Sequence, residues 1–165
     1  RVLKMNRKYL IIIAVLIIII SLAGCGRISN KQNIYSNNKQ IVKESDTYTY
    51  LSKVGSGDSV GEDNQFDFKF KGFSGMDTLY IIKAGGNCEV KFSYNCEIYK
   101  GEFKAVLITP KKEVLNIFEG SSEDIKTMEL DEGEYRLKIV GKDAKGKIQI
   151  SIEDNPNISL TINND

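Results

Sequence analysis

A short run of carboxylates beside glycines is the cluster most suited to metal chemistry. Asp58, Glu62 and Asp63 lie close together in a segment that also holds Gly57 and Gly61. Carboxylate oxygens on a glycine-rich loop are the hard ligands that Ca²⁺ prefers in extracellular β domains. Their spacing does not match an EF-hand loop, so we favour a solvated acidic loop without metal, and calcium binding is the alternative. Asp58, Glu62 and Asp63 are therefore the calcium candidates of this sequence, and we expect the protein to have no cofactor.

The composition argues against several kinds of catalysis. The chain contains no His and no Trp among its 165 residues. Without His, the chain lacks both the commonest general base and the commonest transition-metal ligand. Without Trp, it lacks the side chain best suited to stacking on a sugar ring. We therefore predict that the protein is not an enzyme.

Two cysteines lie in one alternating segment. Cys88 and Cys96 share a parity with Val90, Phe92 and Tyr94, and the residues between them are polar or charged. This alternation is typical of a half-buried strand with both thiols facing the core. Eight positions along a strand span about 26 Å at about 3.3 Å per residue, whereas the Cα atoms of a disulfide lie within about 7 Å. We predict two structural core thiols, and a disulfide would need a sharp turn between them.

The start of the chain carries a lipid-attachment pattern. Basic Arg7 and Lys8 precede an apolar run over residues 10–22, which ends in Leu22-Ala23-Gly24-Cys25. This resembles the signal peptide and lipobox of bacterial lipoproteins, whose signal is cleaved before the cysteine. The resemblance implies cleavage between Gly24 and Cys25, a lipid on Cys25 and a place on the extracytoplasmic face of the cell membrane. An uncleaved membrane helix over residues 9–26 is the alternative.

The chain divides into three parts by composition. Residues 1–24 comprise upstream residues and the signal peptide, and residues 25–47 are polar enough to predict a lipidated flexible tether. Residues 48–165 are expected to form one domain. The part after the signal carries 19 basic against 22 acidic residues, because four of the 23 basic residues precede Cys25. This balance disfavours nucleic acid as a partner.

Short alternating segments fill the rest of the chain. Glycine or proline breaks separate them at residues 72–75, 85–87, 100–101, 110–112, 120–122, 132–133 and 145–146, and residues 55–64 read as a polar loop. About eight to nine strands with regular turn signals predict an all-β fold, an antiparallel β-sandwich or jelly roll, after the N-terminal signal helix.

One turn in this pattern resembles two families. Asp131-Glu132-Gly133-Glu134-Tyr135 resembles the Asp-x-Gly-x-Tyr signature of immunoglobulin domains, although Leu137 replaces the cysteine of that family. Together with the preceding Met128-Glu129-Leu130, it also resembles the penultimate strand of bacterial pre-peptidase C-terminal modules, which we favour. Either resemblance implies structural roles for Gly133 and Tyr135, the hydroxyl bonding back to the turn. The second implies a small binding or accessory module.

Basic residues recur at outward strand positions. They are Lys69, Lys71, Lys91, Arg136, Lys138, Lys142, Lys145 and Lys147. Such a face could contact an anionic wall polymer, or it could serve solubility and protect sheet edges from pairing.

These observations predict a membrane-anchored binding protein. We expect a monomeric, non-catalytic lipoprotein that serves an envelope protein or a cell-wall polymer. A small-ligand sensor or transport accessory is the alternative, and it would require a cavity of at least ~300 Å³ between the sheets.

Overall fold

The computed structural model describes residue 31 and residues 33–56 and 64–163, and these form an antiparallel β structure. Among the described residues, a short helix, α1 (Asn38–Ile41), precedes the strands. The described strands are β1 (Thr47–Thr49), β2 (Ser52–Ser56), β3 (Gln65–Ala84), β4 (Cys88–Ile108), β5 (Val114–Glu119), β6 (Ser122–Leu130), β7 (Gly133–Ile152) and β8 (Ile158–Ile162). The all-β prediction is confirmed.

Three long strands organise the whole sheet. β7 lies between β3 and β4, and it pairs with both along nearly its full length. β2 and β6 pair with the beginnings of β3 and β4, whereas β1, β8 and β5 pair with their later parts. We call the first part the front sheet (β2, β6 and residues 65–71, 88–98 and 146–152). The back sheet comprises β1, β5, β8 and residues 74–84, 103–108 and 133–141.

The long strands bend where the front sheet meets the back sheet. The β3–β7 register shifts around Phe73, and the β4–β7 register shifts around Lys100. Gly72 and Gly101 take φ angles of 64° and 76° at these shifts, and such angles are readily available to glycine. The predicted breaks at residues 72–75, 100–101 and 145–146 are therefore wrong as strand ends. They are irregular points within continuous strands of 20 or 21 residues.

Ring contacts show that the bent sheet folds over, so that its two halves face each other. Phe66 and Tyr80 are 14 positions apart on β3, about 46 Å along a straight strand at about 3.3 Å per residue. Their ring centroids are nevertheless only 4.8 Å apart. Phe70 on the front sheet likewise stacks on Phe103 of the back sheet at 4.8 Å. The front and back sheets thus face each other across one aromatic core, as in a sandwich.

The segment before β1 packs on the outside of this sandwich. We call residues 33–46 the strap. Ile34, Tyr35 and Ile41 of the strap are buried. They cover an apolar patch on the outer face of the back sheet, formed by Met76, Val106, Ile108 and Val140. Residues 31–165 group together as one compact unit. Packing therefore begins before the predicted domain start at residue 48, and the strap is not a free tether.

A buried ion pair fastens the strap to β7. Lys138 is fully buried, and its Nζ donates to Asp46 Oδ1 at 3.0 Å and to the Lys43 carbonyl at 2.6 Å. The Thr78 amide and hydroxyl donate to the same carboxylate at 2.9 and 2.8 Å. The Asn163 amide donates to it at 2.9 Å. Since buried charges are costly unless paired and hydrogen-bonded, donors from β3, β7 and the chain after β8 together satisfy this carboxylate of the strap.

Candidate functional site

Several residues singled out from the sequence lie outside the described part. Gly24 and Cys25 precede residue 31, and the calcium candidates Asp58, Glu62 and Asp63 fall within the undescribed residues 57–63. Lipid attachment and calcium binding therefore stay predictions. Among the described residues, no helix has the length and apolar character to cross a bilayer.

The two thiols are core residues of β4. Cys88 and Cys96 are both free, with exposures of 6% and 2%. Burial raises the pKa of the Cys96 thiol to about 12. Because the thiolate is the reactive form, Cys96 is a poor nucleophile in the folded protein.

The turn before β7 has the contact implied by the resemblances. The Tyr135 hydroxyl donates to the Asp131 carbonyl at 3.2 Å. Gly133 has a φ of 152°, and a Cβ at this position would lie 2.5 Å from Cγ of Pro110. Burial raises the pKa of the Tyr135 hydroxyl, which keeps it protonated as a donor. These residues hold the turn against the loop after β4.

The basic face predicted from the sequence is largely neutralised. Lys138 does not face solvent at all, because the strap covers it. Lys147 bonds to Glu97 at 2.7 Å, and Lys142 bonds to Glu102 at 2.8 Å. The hydrogen bond from Lys147 holds the pKa of Glu97 below its usual range. This pairing leaves the face with much less free positive charge than the sequence suggests.

Two strings match the spacing of hydrolase motifs. Residues 57–61 read Gly-Asp-Ser-Val-Gly, but they lie outside the described part and the chain has no His to complete a triad. Ser36 and Lys39 have Ser-x-x-Lys spacing, and both are exposed on the strap. Ser36 and Lys39 do not line the polar cavities described for this part of the chain.

A polar groove lies on the outer face of the front sheet. Its volume is about 440 Å³ and it opens to solvent. We call it the polar groove, and its lining residues are Gln65, Ser93, Tyr94, Asn95, Glu123, Asp124, Ile125, Gln149 and Ser151.

The strand register aligns these side chains in two rows across the front sheet. Gln65 pairs with Ser151, Ser151 with Ser93, and Ser93 with Ile125. In the next row, Gln149 pairs with Asn95, and Asn95 pairs with Glu123. Neighbouring strands lie about 4.8 Å apart, so each row places groups at a regular interval. The alternation that sends Phe66, Phe92 and Ile150 into the core sends the residues of these two rows outward.

The groove offers unused hydrogen-bonding groups. Within the described part of the chain, the side chains of Gln65, Asn95 and Gln149 make no hydrogen bond, and neither do those of Ser93 and Ser151. Asn95, Ser93 and Ser151 are only half-exposed, which limits their access to water. Amides and hydroxyls both donate and accept, so this surface is chemically suited to a polar ligand.

Sequence reasoning did not single out the groove. The alternating pattern identifies the outward positions of the strands, but only the basic residues at these positions were predicted to form a binding surface. The available signal was a run of uncharged outward positions on adjacent strands, such as Ser93 and Asn95 on β4 and Gln149 and Ser151 on β7. Aligning them across strands requires the register, which the sequence pattern does not provide.

Comparison with known proteins adds no relative: no family model, curated protein or solved structure matches this chain.

Proposed function

We propose that this chain is a lipid-anchored extracytoplasmic binding module that holds a component of the cell envelope in the polar groove. The groove carries this proposal, because its amide and hydroxyl side chains have no partner within the described residues. The lipobox-like Leu22-Ala23-Gly24-Cys25 supports the location on the membrane. The action is binding rather than catalysis, since the groove has no His and its cysteine-free lining offers no activated nucleophile.

An extended ligand fits the groove better than an enclosed small molecule. Its volume of about 440 Å³ is within the range of small-ligand sites. However, it is open and lies on an outer face, whereas the small-ligand alternative calls for an enclosed cavity between the sheets. Phe70 and Phe103 instead stack on each other there. We therefore favour a wall polymer or a partner protein over a sensor of small molecules.

Site-specific photo-crosslinking in cells tests this proposal. A photoreactive residue at Gln149 should capture envelope material, because that side chain lines the groove. The same residue at Ser159, an exposed position on β8, is the matched control. Capture at Gln149 should weaken in a Cys25→Ala chain, which lacks the proposed lipid. Equal capture at the two positions would contradict the groove as the binding site. Capture that is unaffected by Cys25→Ala would contradict the proposed lipid anchor.

A further inference from the structure

The charges around the polar groove restrict what it can hold. No Lys or Arg lines the groove, whereas Glu123 and Asp124 contribute two carboxylates. The Asp124 carboxylate is partly occupied, as its Oδ1 accepts from the Ile125 amide at 2.8 Å. A ligand rich in phosphate or carboxylate would meet like charge with no cation to compensate it. The lining therefore disfavours polyanions and leaves neutral and cationic ligands.

Two basic residues near the groove are engaged in ion pairs. Lys147 is on the same face, but it is paired with Glu97 at 2.7 Å. Lys91 is bonded to Glu153 at 3.2 Å. Both cations are thus engaged with carboxylates of their own neighbourhood, and an anionic ligand would have to compete for them.

The uncharged lining groups are complementary to hydroxyls. Each sugar hydroxyl donates one hydrogen bond and accepts others, and Gln65, Asn95 and Gln149 offer both kinds of partner. Carboxylates such as Glu123 accept from hydroxyls in strong, charge-assisted bonds. The exposed side chain of Ile125, at 61%, adds apolar surface for the C–H face of a ring.

The length of the two rows also favours an extended ligand over a single small chemical group. Four strands contribute to one row, so the row spans about 14 Å at about 4.8 Å per strand. A second row runs alongside it at the neighbouring outward positions of the same strands. A ligand with hydroxyls repeated along its length would use both rows at once.

We infer that the polar groove binds an uncharged, hydroxyl-rich glycan chain, held by the amides of Gln65, Asn95 and Gln149 and by the carboxylate of Glu123. This inference rests on the proposed function and names the ligand class of the same site. Phosphate-bearing polymers are the ligands it excludes.

Co-sedimentation with purified Gram-positive cell walls tests the ligand class. The full chain is mixed with walls before and after chemical removal of their phosphate-bearing polymers. The stripped walls, which are mainly glycan crosslinked by peptide, should retain the protein at least as well as the untreated walls. Soluble neutral chito-oligosaccharide should compete for retention, whereas a sulfated polysaccharide should not.

Two variants of groove residues and one control variant test whether the named residues bind the glycan. The Asn95→Ala/Gln149→Ala chain should lose about tenfold in retention, the effect of one or two lost hydrogen bonds. The Ser159→Ala/Thr161→Ala chain alters exposed β8 residues and should be retained like the unmodified chain. Glu123→Lys should lose retention on the stripped walls, because it removes the carboxylate proposed to hold the glycan. Thermal melts of all variants check that they fold.

The outcomes separate this inference from the proposed function. Retention only on untreated walls, or equal retention of the Asn95→Ala/Gln149→Ala chain, overturns the neutral-glycan inference. Retention on neither wall, together with crosslinking of one envelope protein at Gln149, also overturns it but leaves the proposed binding module intact. Loss of both retention and crosslinking would contradict the proposed function itself.

Discussion

Lys138 illustrates how a residue's role depends on what covers it. It alternates with the core residues Leu137 and Ile139, so the strand pattern places it on an outer face. The strap then buries it beside Asp46, a residue 92 positions earlier in the chain. Burial lowers the pKa of the Lys138 ammonium, although the Asp46 carboxylate opposes this shift. Its charge therefore serves the fold rather than a ligand.

We predict that Lys138→Ala strongly destabilises the protein. The substitution would leave the Asp46 carboxylate buried without its cation, which typically costs about 3–5 kcal/mol of unfolding free energy. Lys142→Ala removes the ion pair to Glu102, whose partners are both about half exposed, and should cost less than about 1 kcal/mol. Chemical denaturation of both variants measures the difference. Similar losses in the two would contradict the structural role of Lys138.

We predict that Cys96 makes the protein less stable at alkaline pH. The thiol has a pKa of about 12 in the fold, but about 8.5 in an unfolded chain. Between these values the folded state holds a proton that the unfolded state has released. The free energy of unfolding therefore falls as pH rises above about 8.5, by at most about 1.4 kcal/mol per pH unit. Denaturation at several pH values should show a shallower fall for Cys96→Ala, and an unchanged slope would contradict the assignment.

Among the structural elements, the strap differs most from the sequence-based prediction, which was a flexible tether. Its composition is polar, and Ile34, Tyr35 and Ile41 are too few to reveal a buried face in the sequence. They are buried because the back sheet presents a matching apolar patch that includes Met76 and Val140. A segment this short cannot be recognised as structured without its tertiary partner, since local propensity contributes little to so short a helix.

Removing the strap should therefore weaken the domain. A chain that begins at Thr47 would expose the patch on the back sheet and would leave Lys138 without Asp46. Each buried aliphatic side chain contributes about 1.5–3 kcal/mol, so we expect a loss of at least about 3 kcal/mol. A chain that begins at Lys31 is the matched control. Equal thermal midpoints would show that the strap does not stabilise the sheet.

The bends within the long strands depend on particular backbone angles. Gly101 has a φ of 76°, and a Cβ there would collide with the carbonyl oxygens of Lys142 and Asp143. We predict that Gly101→Ala costs at least about 1–2 kcal/mol. Gly86 has no heavy atom within 4 Å of such a Cβ, so Gly86→Ala is a matched control that should be nearly neutral. Denaturant midpoints measure both, and an equally tolerated Gly101→Ala would contradict the role of this bend.

For the whole molecule, the strap and the polar groove are on opposite outer faces. The strap covers the outer face of the back sheet, and the groove opens on the outer face of the front sheet. Ile34, a buried strap residue, is nine positions after Cys25, a distance of at most about 32 Å for a fully extended chain. If Cys25 carries the lipid, we predict that the back sheet lies toward the membrane and that the groove faces away from it.

This orientation can be measured on vesicles. In the acylated protein, a fluorophore at Lys39, which is exposed on the strap, should be quenched by a headgroup-attached quencher more strongly than one at Gln149. The two sheets of a sandwich lie about 10 Å apart, so the two positions are expected at different distances from the membrane surface. Stronger quenching at Gln149 would reverse the orientation.

The sequence by itself determined the all-β class, the inward parity of the core residues and the turn at Tyr135, because each depends on neighbours within one segment. It placed Cys88 and Cys96 on a core-facing strand for the same reason. Only the tertiary structure decided that three pairs of predicted strands are single bent strands, and that the strap covers Lys138. It also decided that the groove residues align in rows. These features depend on register and on contacts between distant segments, which a local pattern of alternation does not encode.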